Sequence, residues 1–363
     1  MGRKHSDKKS EGQAQAYLRH ARRARLTLLL LCLALLVVTV VSLMVGRYSL
    51  SFTRLLSTLW SLPDMIHRMS YYGGDAMTVE QRLLFMMRLP RILCALLIGG
   101  ALGVAGAAFQ GMFRNPMASP DLLGASAGAG FGAVLAMLFS APVVVITGSA
   151  FLGGLVAVFL TYLISLAVGK GTPGITVLIL AGIVIGALFQ SCISITKLVA
   201  DPYDQLPGIT FFLMGGLSSV VWRDVLTLLV PVGAGCTALY LLRWRINLLA
   251  LRDEESRSLG VDTNRMRSLV IVCATLVTAV SVAVGGLIAW VGLVIPHFMR
   301  MLVGPDHRWL LPASFLGGAI YLILMDDIAR GLFAMEIPIG ILTALIGAPV
   351  FIALLLRYKG GWD

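Results

Sequence analysis

Residues 122–169 decide the fold, and they read LLGASAGAGFGAVLAMLFSAPVVVITGSAFLGGLVAVFLTYLISLAVG. These 48 residues carry no charged side chain, whereas one helical crossing of a membrane needs only about 20 residues. The run is therefore long enough for two crossings and has to fold back on itself. We expect the turn at Ser140-Ala141-Pro142, near its middle, and hence an α-helical protein that crosses the membrane repeatedly.

The remaining apolar runs extend this count to ten spans. A second long run, residues 268–303, also requires two crossings, and we expect its turn near Gly285-Gly286. The single-span runs lie at residues 26–46, 92–113, 171–196, 225–242, 309–330 and 337–356. The sequence thus predicts an all-α polytopic membrane domain over residues 26–358.

The composition excludes a water-soluble globular enzyme. Hydrophobic residues make up 58% of the 363 residues, charged residues 13%, and the mean hydropathy is +0.88. No Walker A, HExxH or GxSxG motif occurs, and the five histidines never stand at metal-ligand spacing. The five cysteines lie singly inside apolar runs, which is typical of packing residues. We expect no catalytic residue, metal ion or cofactor in this chain.

The basic residues predict the orientation. The formal net charge is +11, and the tail of residues 1–25 alone holds eight lysines and arginines. With ten spans and both ends in the cytoplasm, 20 of the 29 basic residues fall on the inner side, as the positive-inside rule requires. We therefore assign the charge to topology rather than to nucleic-acid binding, with residues 1–25 as a basic cytoplasmic tail and residues 359–363 as a cytoplasmic C-terminus.

Charged residues inside or beside the spans are few. Asp326 and Asp327 precede Arg330 by three or four residues, and Lys197 precedes Asp201 by four, so the helical spacing predicts local ion pairs. No acidic residue lies deep inside a span, which argues against a proton-coupled secondary transporter. Small residues at 99–108 and 124–130 predict close contact between helix backbones.

The inner loop, residues 243–267, mixes charges of both signs with a short helix-then-glycine pattern at 253–260. Such a segment is suited to docking a cytoplasmic partner, although it is equally compatible with a solvated loop. A docking segment beside an apolar bundle favours a channel-forming subunit that is driven from the cytoplasm.

Several motifs resemble the FecCD family, the permease subunits of type II ABC importers for iron–siderophores, haem and cobalamin. They run in family order over nearly the whole membrane domain: RLPR (88–91), GMFRNPMASPDLLG (111–124), LLAL (248–251) with SLGV (258–261), GLVIPH (292–297), DHR (306–308), and EIPIG (336–340) with IGAPVF (346–351).

The resemblance implies the architecture of a type II ABC importer permease with ten transmembrane helices per subunit, in the cytoplasmic (inner) membrane of a bacterium or archaeon. The expected partners are a second permease subunit in a homodimer, two cytoplasmic ABC ATPases that bind ATP and Mg²⁺, an extracytoplasmic substrate-binding protein, and membrane lipid. We expect a ferric chelate (siderophore or haem) as substrate, with cobalamin as the alternative and molybdate-type oxyanions behind it. The competing class is an ion-coupled secondary transporter.

The resemblance also assigns residues to roles. Outer-face arginines of the family pair with glutamates of the binding protein, and the matching residues are Arg88, Arg91 and Arg330. The cytoplasmic gate would comprise Asn115, Met117, Ile175 and Thr176. Contact with the ATPase would involve Leu251, Asp253, Glu254, Glu255, Ser258, Leu259 and Gly260. The adjacent pair Asp326-Asp327 departs from the single acidic residue expected there.

Overall fold

The computed structural model describes residues 2–46, 48–61, 77–169, 175–251, 253–332 and 335–357. These residues form helices and contain no β-strand, which confirms the predicted all-α class. In chain order the helices are α1 (Gly2–Met44), α2 (Phe52–Trp60), α3 (Val79–Phe113), α4 (Ala125–Leu138), α5 (Val143–Val168), α6 (Ile175–Val199), α7 (Gln205–Met214), α8 (Trp222–Leu241), α9 (Arg243–Leu249), α10 (Asp253–Ser258), α11 (Thr263–Gly285), α12 (Val291–Val303), α13 (His307–Gly331) and α14 (Ile339–Arg357).

Both predicted turns are present. Helix α4 ends at Leu138 and α5 begins at Val143, with Ser140 in the left-handed region at φ 50°. Helix α11 ends at Gly285, and the next residue, Gly286, has φ 68°. A side chain at Gly286 would also collide with the carbonyl oxygen of Phe212, so this position requires glycine.

Seven of the helices are long and apolar enough to cross a membrane, and four shorter apolar helices accompany them. Three of the shorter ones, α4, α12 and α14, occupy predicted spans. The fourth, α7, was not predicted. Its ten residues, QLPGITFFLM, are too few for a crossing and contain Pro207 and Gly208, so the sequence favours a loop there.

Helix α1 is longer than the predicted first span, because it runs without a break from Gly2 to Met44. The assignment of residues 1–25 to a cytoplasmic tail stays a prediction. The predicted C-terminal segment 359–363 lies outside the described residues.

Helix α3 is the centre of the bundle. Its apolar span is 83% buried, and it packs against α1, α8, α11, α12 and α13. Small residues allow this packing, since a Cβ at Gly99 would collide with the backbone of Gly318 in α13. Gly128 and Gly153 bring α4 and α5 together in the same way. The predicted close contact of backbones is therefore confirmed.

Candidate functional site: charged clusters at the two ends of the bundle

At the end of the bundle that the charge distribution predicts to face outward, here called the outer end, Arg91 of α3 binds two carboxylates. Its Nε lies 2.8 and 2.9 Å from the two carboxylate oxygens of Asp326 in α13. Its Nη1 donates to Oε2 of Glu336, just before α14, at 3.0 Å. Asp326 is 1% exposed. A buried carboxylate requires such a partner, so this triad joins α3 to α13 and to the segment before α14.

Arg330 completes the cluster. Its Nε lies 3.4 Å from Oδ2 of Asp326, and its Nη2 also pairs with Asp327. These are the local ion pairs that the helical spacing predicts. The same Nη2 donates to the carbonyl oxygen of Ser42 in α1 at 3.0 Å, and the Ser42 hydroxyl donates to Asp327 at 2.6 Å. The second acidic residue therefore fastens α1 to α13.

All three predicted docking arginines are buried, with Arg88 4%, Arg91 9% and Arg330 6% exposed. Arg88 donates to the backbone carbonyls of Leu43 and Tyr48. All three guanidinium groups thus have partners within this chain in the conformation described, although Nε of Arg330 makes only the ion-pair contact with Asp326 and no hydrogen bond. Their role in binding another protein stays a prediction.

The predicted ion pair between Lys197 and Asp201 is not present among the described residues, so this prediction is wrong. Asp201 instead accepts hydrogen bonds from the backbone amides of Tyr203 and Asp204 at 2.8 and 3.0 Å. Its carboxylate holds the turn after α6, because a short acidic side chain reaches its own backbone more readily than a lysine one turn earlier.

A cleft of about 490 Å³ lies beside the outer cluster. Its walls are mostly small and apolar, drawn from α7, the turn between α11 and α12, and the segment before α14. Four charged side chains, Arg91, Arg223, Asp224 and Glu336, border it. Arg223 is exposed at the start of α8, so this cleft offers an accessible cation that sequence analysis did not single out.

At the opposite end, the loop after α3 carries the first two gate candidates. Arg114 adopts the left-handed conformation at φ 54° and ends the helix. The side-chain oxygen of Asn115 accepts a hydrogen bond from the amide of Met117 at 2.8 Å. This local turn, with Pro116 inside it, gives the loop a fixed shape. Both Asn115 and Met117 are half-buried.

The other two gate candidates begin helix α6. Ile175 packs partly against the core, and Thr176 is exposed. The gate loop continues into a 3₁₀ turn, Pro120–Leu123, which meets α6 so closely that Gly182 has no room for a Cβ beside the carbonyl of Leu122. Ile175 lies seven residues earlier, about 10 Å along the helix. The structure therefore brings the two predicted gate segments to the same end of the bundle.

The gate loop is joined to the predicted coupling segment by Asp253 at the start of α10. One carboxylate oxygen of Asp253 lies 2.6 Å from Nη2 of Arg114 and 2.7 Å from Nη2 of Arg267 in α11. Arg114 also donates from Nε to the carbonyl of Leu249 at 2.9 Å. Partial burial opposes ionisation of Asp253, but hydrogen bonds and charge from the two arginines outweigh it and lower the pKa of this carboxyl.

The rest of the coupling segment faces outward. Leu251 and Leu259 are 38% and 60% exposed, and Glu254 and Glu255 are exposed between them. The Ser258 hydroxyl donates to the carbonyl of Glu255, and Gly260 ends the segment at φ 79°. Exposed leucines with carboxylates on a short helix form a surface that suits contact with another protein.

The DHR motif at 306–308 has a fastening role. Nδ2 of Asn247 in α9 donates to Asp306 at 2.7 Å, and its side-chain oxygen accepts from the amide of His307 at 2.9 Å. Nδ1 of His307 lies 2.7 Å from the same oxygen. These bonds hold α9 against the first turn of α13. Within the described part of the chain, no group of His, Cys, Asp and Glu is arranged to hold a metal ion.

A family model described as the FecCD transport family matches residues 34–357. The chain belongs to the FecCD transport family. It is 39% identical to the molybdate import permease MolB of Haemophilus influenzae over 331 residues, 91% of this chain and 95% of that protein. It is 41% identical to the cobalamin import permease BtuC of Halobacterium salinarum over 270 residues, 74% of this chain and 72% of that protein.

A solved ABC transporter of the metal-chelate type, in an inward-facing conformation, has the same fold. The TM-score is 0.81 at 38% identity, and the match covers 91% of this chain and 98% of the solved one. These likenesses confirm the predicted family and architecture. This FecCD protein is therefore an ABC importer permease, a transport subunit in the membrane.

Sequence reasoning missed two arginines of the FecCD permease that join its functional segments. Arg114 lies inside a recognised motif, but its partner Asp253 is 139 residues away. Arg267 appears in the sequence as one more basic loop residue, yet its side chain is 5% exposed. A buried arginine needs a carboxylate, and only the folded chain shows which one.

Proposed function

We propose that this permease moves a ferric chelate, a siderophore or haem complex, from a substrate-binding protein into the cytoplasm. Two copies of the chain would form the pathway, and two cytoplasmic ABC ATPases would supply the energy. ATP and Mg²⁺ belong to those ATPases in this proposal, and the permease itself binds no cofactor.

One observation carries the dependence on an ATPase. In the segment around α10, Leu251 and Leu259 are exposed on the protein surface. Asp253 joins the same segment to the gate loop through its ion pair with Arg114. A partner that binds the exposed face is thereby linked to the gate by two side chains. An ion-coupled transporter has no need for such an arrangement.

The walls of the outer cleft support a bulky substrate. Phe211, Phe212 and Leu217 line it together with Gly215 and Gly216, so this part of the wall provides few hydrogen-bonding side chains, and the serines and charged residues lie along the rest. A large chelate that has to leave its binding protein and move on meets a surface that does not retain it. Similarity to the solved metal-chelate transporter points to the same substrate class.

A molybdate-type oxyanion is the second candidate. The 39% identity to MolB extends over nearly the whole of both chains, and the exposed Arg223 gives the cleft a cation that attracts oxyanions. Cobalamin, the substrate named for the Halobacterium relative, is the third.

Uptake into proteoliposomes tests the choice. The permease is reconstituted with its ATPase and binding protein, and uptake of a ⁵⁵Fe-siderophore, haem, ⁹⁹Mo-molybdate and labelled cobalamin is compared. We expect ATP-dependent uptake of the ferric chelate, and none when the binding protein is omitted or the ATPase cannot hydrolyse ATP. If only molybdate or only cobalamin were taken up, that compound would replace the ferric chelate as the proposed substrate. Uptake driven by an ion gradient without the ATPase would overturn the assignment to an ATPase-driven importer.

The proposed orientation has both termini in the cytoplasm of an inner-membrane protein. In a variant without native cysteines, Ser219→Cys near the outer cleft should react with a membrane-impermeant maleimide added to intact spheroplasts. Ser258→Cys in α10 should react only after permeabilisation. The reverse pattern would invert the topology.

A further inference from the structure

An apolar groove opens between α8 and α13 near the end of the bundle that carries the coupling segment. Its volume is about 360 Å³, and its walls include Cys236 and Tyr240 of α8 with Leu311 and Phe315 of α13. The described helices leave it open toward the side of the bundle. It lies on a different face from the outer cleft and shares no lining residue with it.

Arginines stand at the end of this groove that is nearest the coupling segment. Arg243 follows α8, and its guanidinium carbon lies 4.2 Å from the ring centre of Tyr240, which lines the groove. Nη1 of Arg243 donates to the carbonyl of Tyr240 at 2.9 Å, while its Nε is buried without a hydrogen-bond partner among the described residues. The buried Nε is out of a ligand's reach, but Nη2 makes no hydrogen bond with the described residues and is left for a ligand.

Two further arginines lie beside Trp309, which is two residues before Leu311 in the groove wall. The guanidinium carbons of Arg308 and Arg25 lie 5.0 and 5.9 Å from the centre of its indole ring. Neither they nor Arg243 forms an ion pair with a carboxylate in the part of the chain that the structure describes. Like charges placed together without a counter-ion favour an anion between them.

The fold holds these arginines at one place. Arg243 begins α9, and Asn247, one turn later, is hydrogen-bonded to the backbone and ring of His307, the residue before Arg308. Arg243 and Arg308 therefore flank the same end of the groove. Asp306, the nearest acidic residue on that turn, already accepts hydrogen bonds from Asn247 and from the amide of Arg308.

We propose that the groove binds one acyl chain of an anionic phospholipid, with its phosphate held by Arg243 and Arg308. Guanidinium groups bind phosphate oxygens through paired N–H donors, and basic pockets between helices at the cytoplasmic side hold anionic headgroups. The apolar walls take the acyl chain, and the stacked aromatic rings fix the arginines in position. The proposal requires only that this end lies in the inner leaflet and does not depend on the transported substrate.

The test measures lipid binding to the purified, delipidated full chain by native mass spectrometry. Phosphatidylglycerol and phosphatidylcholine with identical acyl chains are the two probes. We expect at least tenfold tighter retention of phosphatidylglycerol, lost in the double variant Arg243→Gln/Arg308→Gln. The matched control is Arg245→Gln/Arg265→Gln, which removes two exposed arginines from the same end and should bind as the unmodified chain does.

A second variant separates the acyl chain from the charge. Cys236→Trp fills the groove without changing any arginine, and it should reduce retention of phosphatidylglycerol to a similar extent. Equal retention of both lipids, or unchanged binding in the double arginine variant, would overturn the proposal. A disulfide between two copies at Cys236 in membranes would show that a second permease covers the groove, and would overturn it as well.

Discussion

Removing the charge of Asp253 is the sharpest test of how the permease links its coupling segment to its gate. The substitution Asp253→Asn keeps the size of the side chain but removes the carboxylate that pairs with Arg114 and Arg267. The pair with Arg114 is partly exposed and contributes about 0.2–1 kcal/mol. The charge-assisted bond to the buried Arg267 contributes about 1.5–3 kcal/mol.

Arg267 belongs to α11, so only the bond to Arg114 attaches the gate loop, and a loss of about 0.2–1 kcal/mol raises the ratio of detached to attached gate loop by up to about fivefold. The exposed leucines of the coupling segment are unchanged in this variant, so binding of the ATPase should persist. We therefore expect ATP hydrolysis to continue while the amount of substrate transported per ATP falls severalfold, by up to about fivefold. The assay measures both quantities in the same proteoliposomes.

Arg267→Gln should also lower the amount of substrate transported per ATP. Combining it with Asp253→Asn should lower that amount little further than either substitution alone. The matched control is Arg265→Gln, two residues before Arg267 on α11, which breaks only the exposed pair with Asp262. An unchanged transport ratio in Asp253→Asn would refute the linkage. Loss of ATPase binding would also refute it, because Asp253 would then be a contact residue and not a link.

Four further predictions concern the two ends and the core. Asn115→Ala removes the acceptor that holds the gate turn, so substrate-loaded proteoliposomes should leak without ATP, whereas Asn115→Asp should retain the load. Arg91→Gln leaves Asp326 buried without its closest partner, so the free energy of unfolding should fall by about 3–5 kcal/mol. The measurement is a lower melting temperature in detergent. Gly99→Leu forces α3 away from α13, so the variant should fail to accumulate as a monodisperse protein, while an exposed Gly→Ala change such as Gly233→Ala should not. Because the pKa of Asp253 is lowered, its link contributes stability above the ordinary carboxyl value of 3.8 and loses it as the pH falls below that value. The difference in melting temperature between the unmodified chain and Asp253→Asn should therefore stay constant from pH 5 to 8.

The sequence predicts the bundle well because each span must by itself be apolar and long enough to cross the membrane. Residues 122–169 cannot cross once, and the turn falls at Ser140 as expected. Glycines recur where backbones touch, as at Gly99. Helix α7 escapes this reasoning because its ten residues are too short to be required by the hydrocarbon thickness.

The charged clusters are predictable only where both partners lie on one helix. The spacing of Asp326, Asp327 and Arg330 is sufficient for the local ion pairs. The bond from Arg91 to Glu336 joins residues 245 positions apart, and no local pattern indicates it. The same spacing argument fails for Asp201, since a backbone turn competes for its carboxylate.

The two charged ends are connected by one rigid element. Helix α13 begins at His307, which is fastened to α9 at the coupling end, and carries Asp326 and Arg330 of the outer cluster near its other end. Its 25 residues span about 37 Å, the full thickness of the bundle. A glutamate from a binding protein can pair with Arg330 only if it displaces the carboxylates that hold it now. Any such exchange alters the contacts of α13 at the outer end, and α13 is packed on α3, whose last residues lead directly into the gate loop. If the proposed binding protein docks on Arg330, competition for this buried arginine would provide a physical route from the outer surface to the predicted gate.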